Sequence, residues 1–293
     1  MTSPTSSRSL LSAPVSAVCR RRLRPGAAGL VLLACIAPAA MAHGGSVEAR
    51  YTMALNGIPI GRFDLDASID RGRYALTIRG TTSGLSRLVS DGTGLLKSHG
   101  QIAGAAVLPE DYSLDTTEGG HTSSAVDMRM RAGTVLSVAA LPPLPFAADR
   151  IALLPHHMRK IVDPLSAMIV PLYTDDSRRA CDRTISVFDG WQRFDIRLFP
   201  KSTAEVKGEN GSYSGTVHVC SARYVPVAGH RPSREDVKFM ETNTDLEVWL
   251  APAAEIGVML PFHMQIGTPA GLLTMHASHF AGAGADQRAA DAN

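Results

Sequence analysis

The 293-residue chain is 45% hydrophobic and 19% charged, apolar enough to bury a core and too apolar for a wholly disordered polypeptide. Its 29 Lys and Arg stand against 27 Asp and Glu, a formal net charge of +2 that disfavours a nucleic-acid binder, which needs a strongly basic face. Aromatic residues make up only 5%, Gly (26) and Pro (18) are plentiful, and the composition fits neither a coiled coil nor a multi-span membrane protein.

The charge is unevenly spread. Residues 1–42 hold Arg8, Arg20, Arg21, Arg22 and Arg24 and no acid, followed by an apolar run from Leu30 to Ala40 and the exit Ala40-Met41-Ala42. A basic start, a short apolar run and a small-x-small end are the three parts of a secretory signal peptide, with cleavage expected after Ala42. The run is too short, and too soon broken by Pro38, to be a permanent anchor, so no transmembrane segment is expected in the mature chain. Cleavage would leave 251 residues and, with five arginines gone, a net charge of −3. Leu32-Leu33-Ala34-Cys35 loosely resembles a lipoprotein processing box, and lipidation at Cys35 is the alternative. Arg20-Arg21 lacks the surroundings of a twin-arginine signal. The expected address is the periplasm of a bacterial envelope.

Beyond residue 42 the pattern is that of strands. Val47–Leu55 is followed by Arg62–Asp70, in which apolar and polar residues alternate without a break. Asp70-Arg71-Gly72 supplies a turn, and Tyr74, Leu76 and Ile78 resume the alternation, as in an antiparallel hairpin with one dry face. Gly92–Ile102 and Ser124–Met130 are further strand candidates, and Leu141-Pro142-Pro143-Leu144-Pro145 reads as an extended connector between two halves of a sheet. Asp163-Pro164 then opens a short helix over Asp163–Val170, with an N-cap residue followed by proline in the first turn. Leu165, Met168, Ile169 and Leu172 form an apolar stripe at i, i+3, i+4 and i+7, placed either to line or plug a ligand cavity on the concave side of the sheet or to complete a dry core. Thr184–Phe188, the turn Asp189-Gly190 and the alternating Phe194, Ile196 and Leu198 form a second hairpin. Gly215–Val225, Lys238–Leu250, Gly257–Ile266 and Leu272–His279 complete the strand candidates, and residues 281–293 read as a disordered tail. With no alternation of strands and long helices, the expected fold is mainly β: one β-rich domain over 43–280, built on a large curved antiparallel sheet with one short helix.

Cys19 and Cys35 fall in the leader, which leaves Cys181 and Cys220. An even pair in an exported chain, with no C-x-x-C, reads as a disulfide closing a loop of about 40 residues; a metal or redox pair is the rival. No H-E-x-x-H, Walker loop or G-x-G-x-x-G occurs. Gly211-Ser212-Tyr213-Ser214-Gly215 mimics a nucleophile elbow but has tyrosine at its centre and precedes a strand, so it reads as a turn. His156 and His157 are adjacent, His276 and His279 fall on opposite faces of a strand, and His43 stands at the expected new N-terminus; none is expected to hold a metal. No cofactor is expected and no catalytic residues are assigned.

Several pieces stand in a recognisable order: Asp163-Pro164-Leu165-Ser166, Cys181, Val187-Phe188-Asp189-Gly190 with Phe194-Asp195, Tyr213-Ser214-Gly215, Cys220, Tyr224-Val225-Pro226-Val227-Ala228-Gly229 and Trp249-Leu250. With Tyr51 and Gly57-Ile58-Pro59-Ile60-Gly61 near the start, they resemble the proteobacterial family of domain of unknown function 3108, over about residues 47–280. Trp191-Gln192 departs from it, in a turn the family usually fills with more basic residues. The resemblance implies an exported protein without assigned activity, related to the LolA and LolB lipoprotein carriers, whose unclosed barrel holds an acyl chain beneath short helices. The expected function is thus non-enzymatic, the sheltering of a lipid or other hydrophobic small molecule in a half-barrel. The alternative is a structural or assembly factor that binds an envelope protein.

Overall fold

Alternation becomes strand almost everywhere the sequence shows it. The computed structural model describes residues 44–82, 92–172, 177–209 and 212–282; the expected leader with Cys35, and positions 283–293 of the expected tail, lie outside them. From the N-terminus run β1 (Gly45–Leu55), β2 (Ile58–Asp70), β3 (Arg73–Thr82), β4 (Thr93–Ala103), β5 (Ala106–Glu118), β6 (His121–Arg131) and β7 (Thr134–Leu141). After the connector come β8 (Val170–Pro171), α1 (Ser177–Cys181), β9 (Arg183–Phe188), β10 (Arg193–Val206), β11 (Gly215–Ala228), α2 (Glu235–Thr242), β12 (Leu246–Ala253), β13 (Val258–Thr268) and β14 (Gly271–Gly282). The protein is therefore mainly β, with a single large antiparallel sheet and few helices.

Every strand except β8 pairs with a chain neighbour, and β1 also pairs with β14, so the order runs β7-β6-β5-β4-β3-β2-β1-β14-β13-β12-β11-β10-β9, with β8 beside β13. Tight turns make this possible: Arg71 and Gly72 both have left-handed backbones (φ 48 and 76), which a two-residue turn between twisted strands requires. One dry face carries the first hydrophobic cluster, including Tyr51, Leu65, Tyr74, Leu76, Tyr112 and Met128. The tip of the β12–β13 hairpin adds Ala251, Ala253, Val258, Leu260 and Phe262. Leu198, Ala222, Leu246 and Leu250 pack instead in a second cluster around the disulfide between Cys181 and Cys220, whose Cα atoms are 5.3 Å apart.

The sheet does not close on itself: its terminal strands β7 and β9 form no ladder with each other among the described residues. A four-residue stretch of the connector stitches the gap. Arg159 bridges to Thr134 at the start of β7, and the Ile161 N–H donates to the Gly133 carbonyl at 3.0 Å. On the other side the Val162 N–H donates to Ser186, and its carbonyl accepts from the Phe188 N–H at 3.0 Å, in a parallel bridge to β9. The β9–β10 turn adds a second crossing. Asp189 accepts the backbone N–H groups of Trp191 (2.8 Å) and Gln192 (2.6 Å), and the Trp191 indole N–H donates to the Pro142 carbonyl (2.8 Å). Gly190 sits against Val126 of β6, where an added Cβ would come within 2.9 Å of a methyl group.

Four elements depart from the sequence reading. The helix expected over Asp163–Val170 shortens to one 3-10 turn, Ser166–Met168, and the chain extends into β8. Ile169-Val170 is β-branched and precedes Pro171, which disfavours helical backbone at Val170. The N-terminal part of Lys238–Leu250 is α2, not strand. Glu235 and Asp236 lie in its first turn, where they complement the helix dipole, and Asn243, bonded to the Gly267 carbonyl at 2.8 Å, ends it before β12. Two strands, β5 and β7, had no clear signal. Pro109 breaks the pattern of β5, and the structure tolerates it because the β4–β5 register shifts there, at His99/Gly100.

Two outcomes are expected from this architecture. Gly190→Ala strains a left-handed backbone (φ 103) and crowds Val126, so it should cost about 1–3 kcal/mol of unfolding free energy. Val126→Ala in the same chain should return part of that loss in a double-mutant cycle; strict additivity would place Gly190 away from the seam. Replacing Cys181 and Cys220 together by Ala opens a loop with a sequence separation of 39 and should cost about 4 kcal/mol by chemical denaturation, and free-thiol labelling without reductant should find neither cysteine.

Candidate ligand-binding groove

The stretch from Asp163 to Leu172 carries the residues marked by the apolar stripe, and a buried carboxylate fixes its start. Asp163 is fully buried. Its Oδ1 accepts the backbone N–H groups of Leu165 and Ser166, both at 2.9 Å, which is the capping role its position suggests. Its Oδ2 accepts the hydroxyls of Ser98 (3.0 Å) on β4 and Ser166 (2.5 Å). The Tyr74 hydroxyl, from β3, pairs with the Ser166 hydroxyl at 2.6 Å. The connector is thus tied to the inward face of the N-terminal half of the sheet. Gly100, paired with Tyr74 across β3–β4, leaves room for this knot: an added Cβ would lie 2.8 Å from the Tyr74 hydroxyl and 2.3 Å from the Leu108 carbonyl.

Burial pushes the Asp163 carboxyl above its ordinary range, against the four hydrogen bonds that pull it down. Burial also raises Tyr74 and Tyr112, with the nearby Asp163 charge adding to both.

From this anchor the stripe divides. Leu165 and Ile169 are buried in the first cluster, and Leu172 packs against the second while its N–H donates to the Gly257 carbonyl at 3.1 Å. Met168 is part-exposed and lines an apolar groove of about 290 Å³. Its walls are Met168 and Val170 on one side and the aliphatic faces of β9 to β13 on the other, among them Ile196, Ala222, Leu250 and Met264. Among the described residues Glu247 is the one charged residue at the rim, and it is engaged by Lys201 and by the Trp249 indole N–H. Of the four stripe residues the structure places Met168 at this groove, Ile169 at a neighbouring cavity, and Leu165 and Leu172 in packed core. Sequence reading missed the opposite wall, because Ile196, Ala222, Leu250 and Met264 come from four strands whose juxtaposition only the strand order creates.

The histidines are scattered. His156 and His157 sit in an exposed 3-10 turn with ring centroids 4.0 Å apart. His276 faces His263 across β13–β14 (5.7 Å between centroids), and His279 pairs with Arg50 on β1. Ser212 and Tyr213 form a docked turn: the Ser212 hydroxyl accepts the Phe280 N–H, and the Tyr213 N–H donates to the Phe280 carbonyl.

A titration reads out the anchor. Because the folded carboxyl of Asp163 titrates above its unfolded value, its stabilising contribution is full below about pH 4 and is lost as pH rises through the raised value. Asp163→Asn keeps the shape and removes the ionisation. The unfolding free energy of the wild type relative to this variant should therefore fall as pH rises above about 4 in denaturant titrations; a difference flat with pH contradicts the burial of this carboxyl.

Among solved structures, the chain is similar to a beta-barrel-like protein of domain of unknown function DUF1849 from Brucella abortus. The two are 10% identical, the match covers 81% of this chain and 98% of that one, and the TM-score is 0.48. A search of curated proteins finds no match. The profile of the family described as protein of unknown function (DUF3108) matches residues 50–278, almost the whole β-sheet, and the chain belongs to that family.

Proposed function

We propose that this protein is a non-enzymatic periplasmic binding protein that shelters a lipid or other hydrophobic small molecule in the groove beneath Met168. The observation that carries the reading is the groove itself, a concave, almost wholly aliphatic cavity walled by strands on one side and by the Asp163-anchored segment on the other. Ligand sites are typically concave, largely apolar and built on rigid elements, with volumes of roughly 300–1,000 Å³. At about 290 Å³ this groove suits one short apolar chain. The expected leader and the disulfide support export to an oxidising compartment.

A second reading, an envelope assembly factor with a protein partner, draws on one observation. The connector and β7 expose large apolar side chains, Leu136, Leu141, Ile151 and Leu154, with Phe146 at 96% exposure. A persistent crosslinked protein neighbour in cells, with no lipid contact, would favour it.

Protein purified from its own periplasm should carry a bound apolar molecule in native mass spectrometry. It should also bind the neutral fluorophore N-phenylnaphthylamine, and Ile196→Trp, which fills the groove from β10, should weaken that binding at least about tenfold while the thermal midpoint is retained. A clean apo mass together with fluorophore binding indifferent to Ile196→Trp would sink the proposal.

A further inference from the structure

Along the chain His276 lies nearest to His279, yet the sheet gives it a different partner. The β13–β14 ladder runs from Thr268/Gly271 to His263/His276, so the two histidines stand directly opposite each other at its far end. Residues directly opposite in an antiparallel pair share one face, with Cβ atoms about 4.5–5.5 Å apart. The two imidazole centroids are 5.7 Å apart. Two imidazoles that share one ion, through metal–nitrogen bonds of about 2.0–2.1 Å, have centroids about 4.5–6.4 Å apart. The spacing across this ladder falls inside that range.

Aromatic neighbours hold both rings in place. Trp249, opposite His263 on β12, stands 5.2 Å from its ring, and Phe262 meets the His276 ring edge-on at 5.2 Å. Glu247 is committed to Lys201 and to the Trp249 indole N–H, so it orders Trp249 and is not counted as a ligand. Neither imidazole makes a hydrogen bond or ion pair among the described residues, which leaves their nitrogens open to a metal. Burial lowers the pKa of both, and the His276 charge lowers His263 further, so the pair is neutral at pH 7, the form that ligates. Access is retained, because His276 is exposed and His263 part-exposed.

We propose that His263 and His276 together chelate one divalent late transition-metal ion, Cu(II) ahead of Zn(II), with water completing its coordination. Imidazole nitrogen suits these ions, and copper stands highest among the first-row divalent metals at such a site. Strand pairing and the packed rings fix both ligands before the ion arrives, which lowers the ordering cost of binding. The site is independent of the apolar groove, which neither histidine lines.

Copper chloride titrated at pH 7 into Trp191→Phe, where Trp249 remains of the two tryptophans, tests this. Paramagnetic Cu(II) held beside His263 should quench Trp249 emission saturably, whereas Mg(II), which takes oxygen ligands, should not. His276→Ala, at an exposed position, and His263→Ala should each weaken copper binding at least about tenfold. His279→Ala should leave it unchanged, because that residue stands across from Arg50 and outside the pair. Calorimetric titration of the wild type against His276→Ala makes the same comparison should Trp191→Phe not fold. Copper that binds the wild type and His276→Ala alike, without quenching Trp249, belongs to another site, such as an N-terminal His43, and overturns the proposal. Equal weakening by His279→Ala, or no saturable binding, overturns it as well.

Discussion

A carboxylate removed from water is the constraint on which the rest of this structure turns. Leaving Asp163 buried without partners would cost several kcal/mol, and the fold surrounds it with two backbone N–H groups and two hydroxyls. Those partners come from the Asp163–Ser166 turn itself and from β4, and the Tyr74 hydroxyl of β3 joins through Ser166. Satisfying one side chain therefore fixes where the connector crosses the N-terminal strands. Because a half-satisfied buried network is worse than none, the crossing point has little freedom to drift.

That crossing has consequences on both sides. Just before Asp163, Arg159 to Val162 bonds to both unpaired ends of the sheet, a task that an unclosed antiparallel sheet otherwise leaves to chance or to another chain. Just after it, Val170 and Pro171 pair with β13 and Leu172 bonds to Gly257, so the segment is held at its far end too. Between the two attachments Ala167 and Met168 stand over the aliphatic faces of β9 to β13 without filling the space beneath them. The groove is thus the gap left under a strap fastened at both ends, and the proposed binding role depends on that strap staying fastened.

Much of this is legible in the sequence, and what is not has physical causes. The strands with strict alternation, such as Arg62–Asp70 and Phe194–Leu198, are one-faced, and period two is a local signal. The cap at Asp163 is equally local: an Asp before proline takes the next two N–H groups whatever the tertiary fold. The extent of the helix is only partly local: Leu165, Met168, Ile169 and Leu172 fit helical spacing and Val170 before Pro171 resists it, while the pairing of Val170 and Pro171 with β13 draws the chain out straight. The same holds for α2, whose residues Lys238, Phe239 and Met240 are compatible with strand until Asn243 is tied to Gly267. The candidate site was half visible. Met168 announced itself by spacing, but the residues of the opposite wall are neighbours only through strand order, and one sequence does not encode strand order in any short motif.

The central claim, that the 159–172 strap is a fastened part of the sheet architecture and not a loop lying over it, is tested most directly by amide hydrogen exchange. The N–H groups of Ile161, Val162, Phe188 and Leu172 should exchange as slowly as those in the central β1–β14 ladder, and all four should lose protection together in Asp163→Ala while β1 and β14 keep theirs. Fast exchange at Ile161, Val162 and Leu172 in the wild type, with the central ladder protected, would contradict the account.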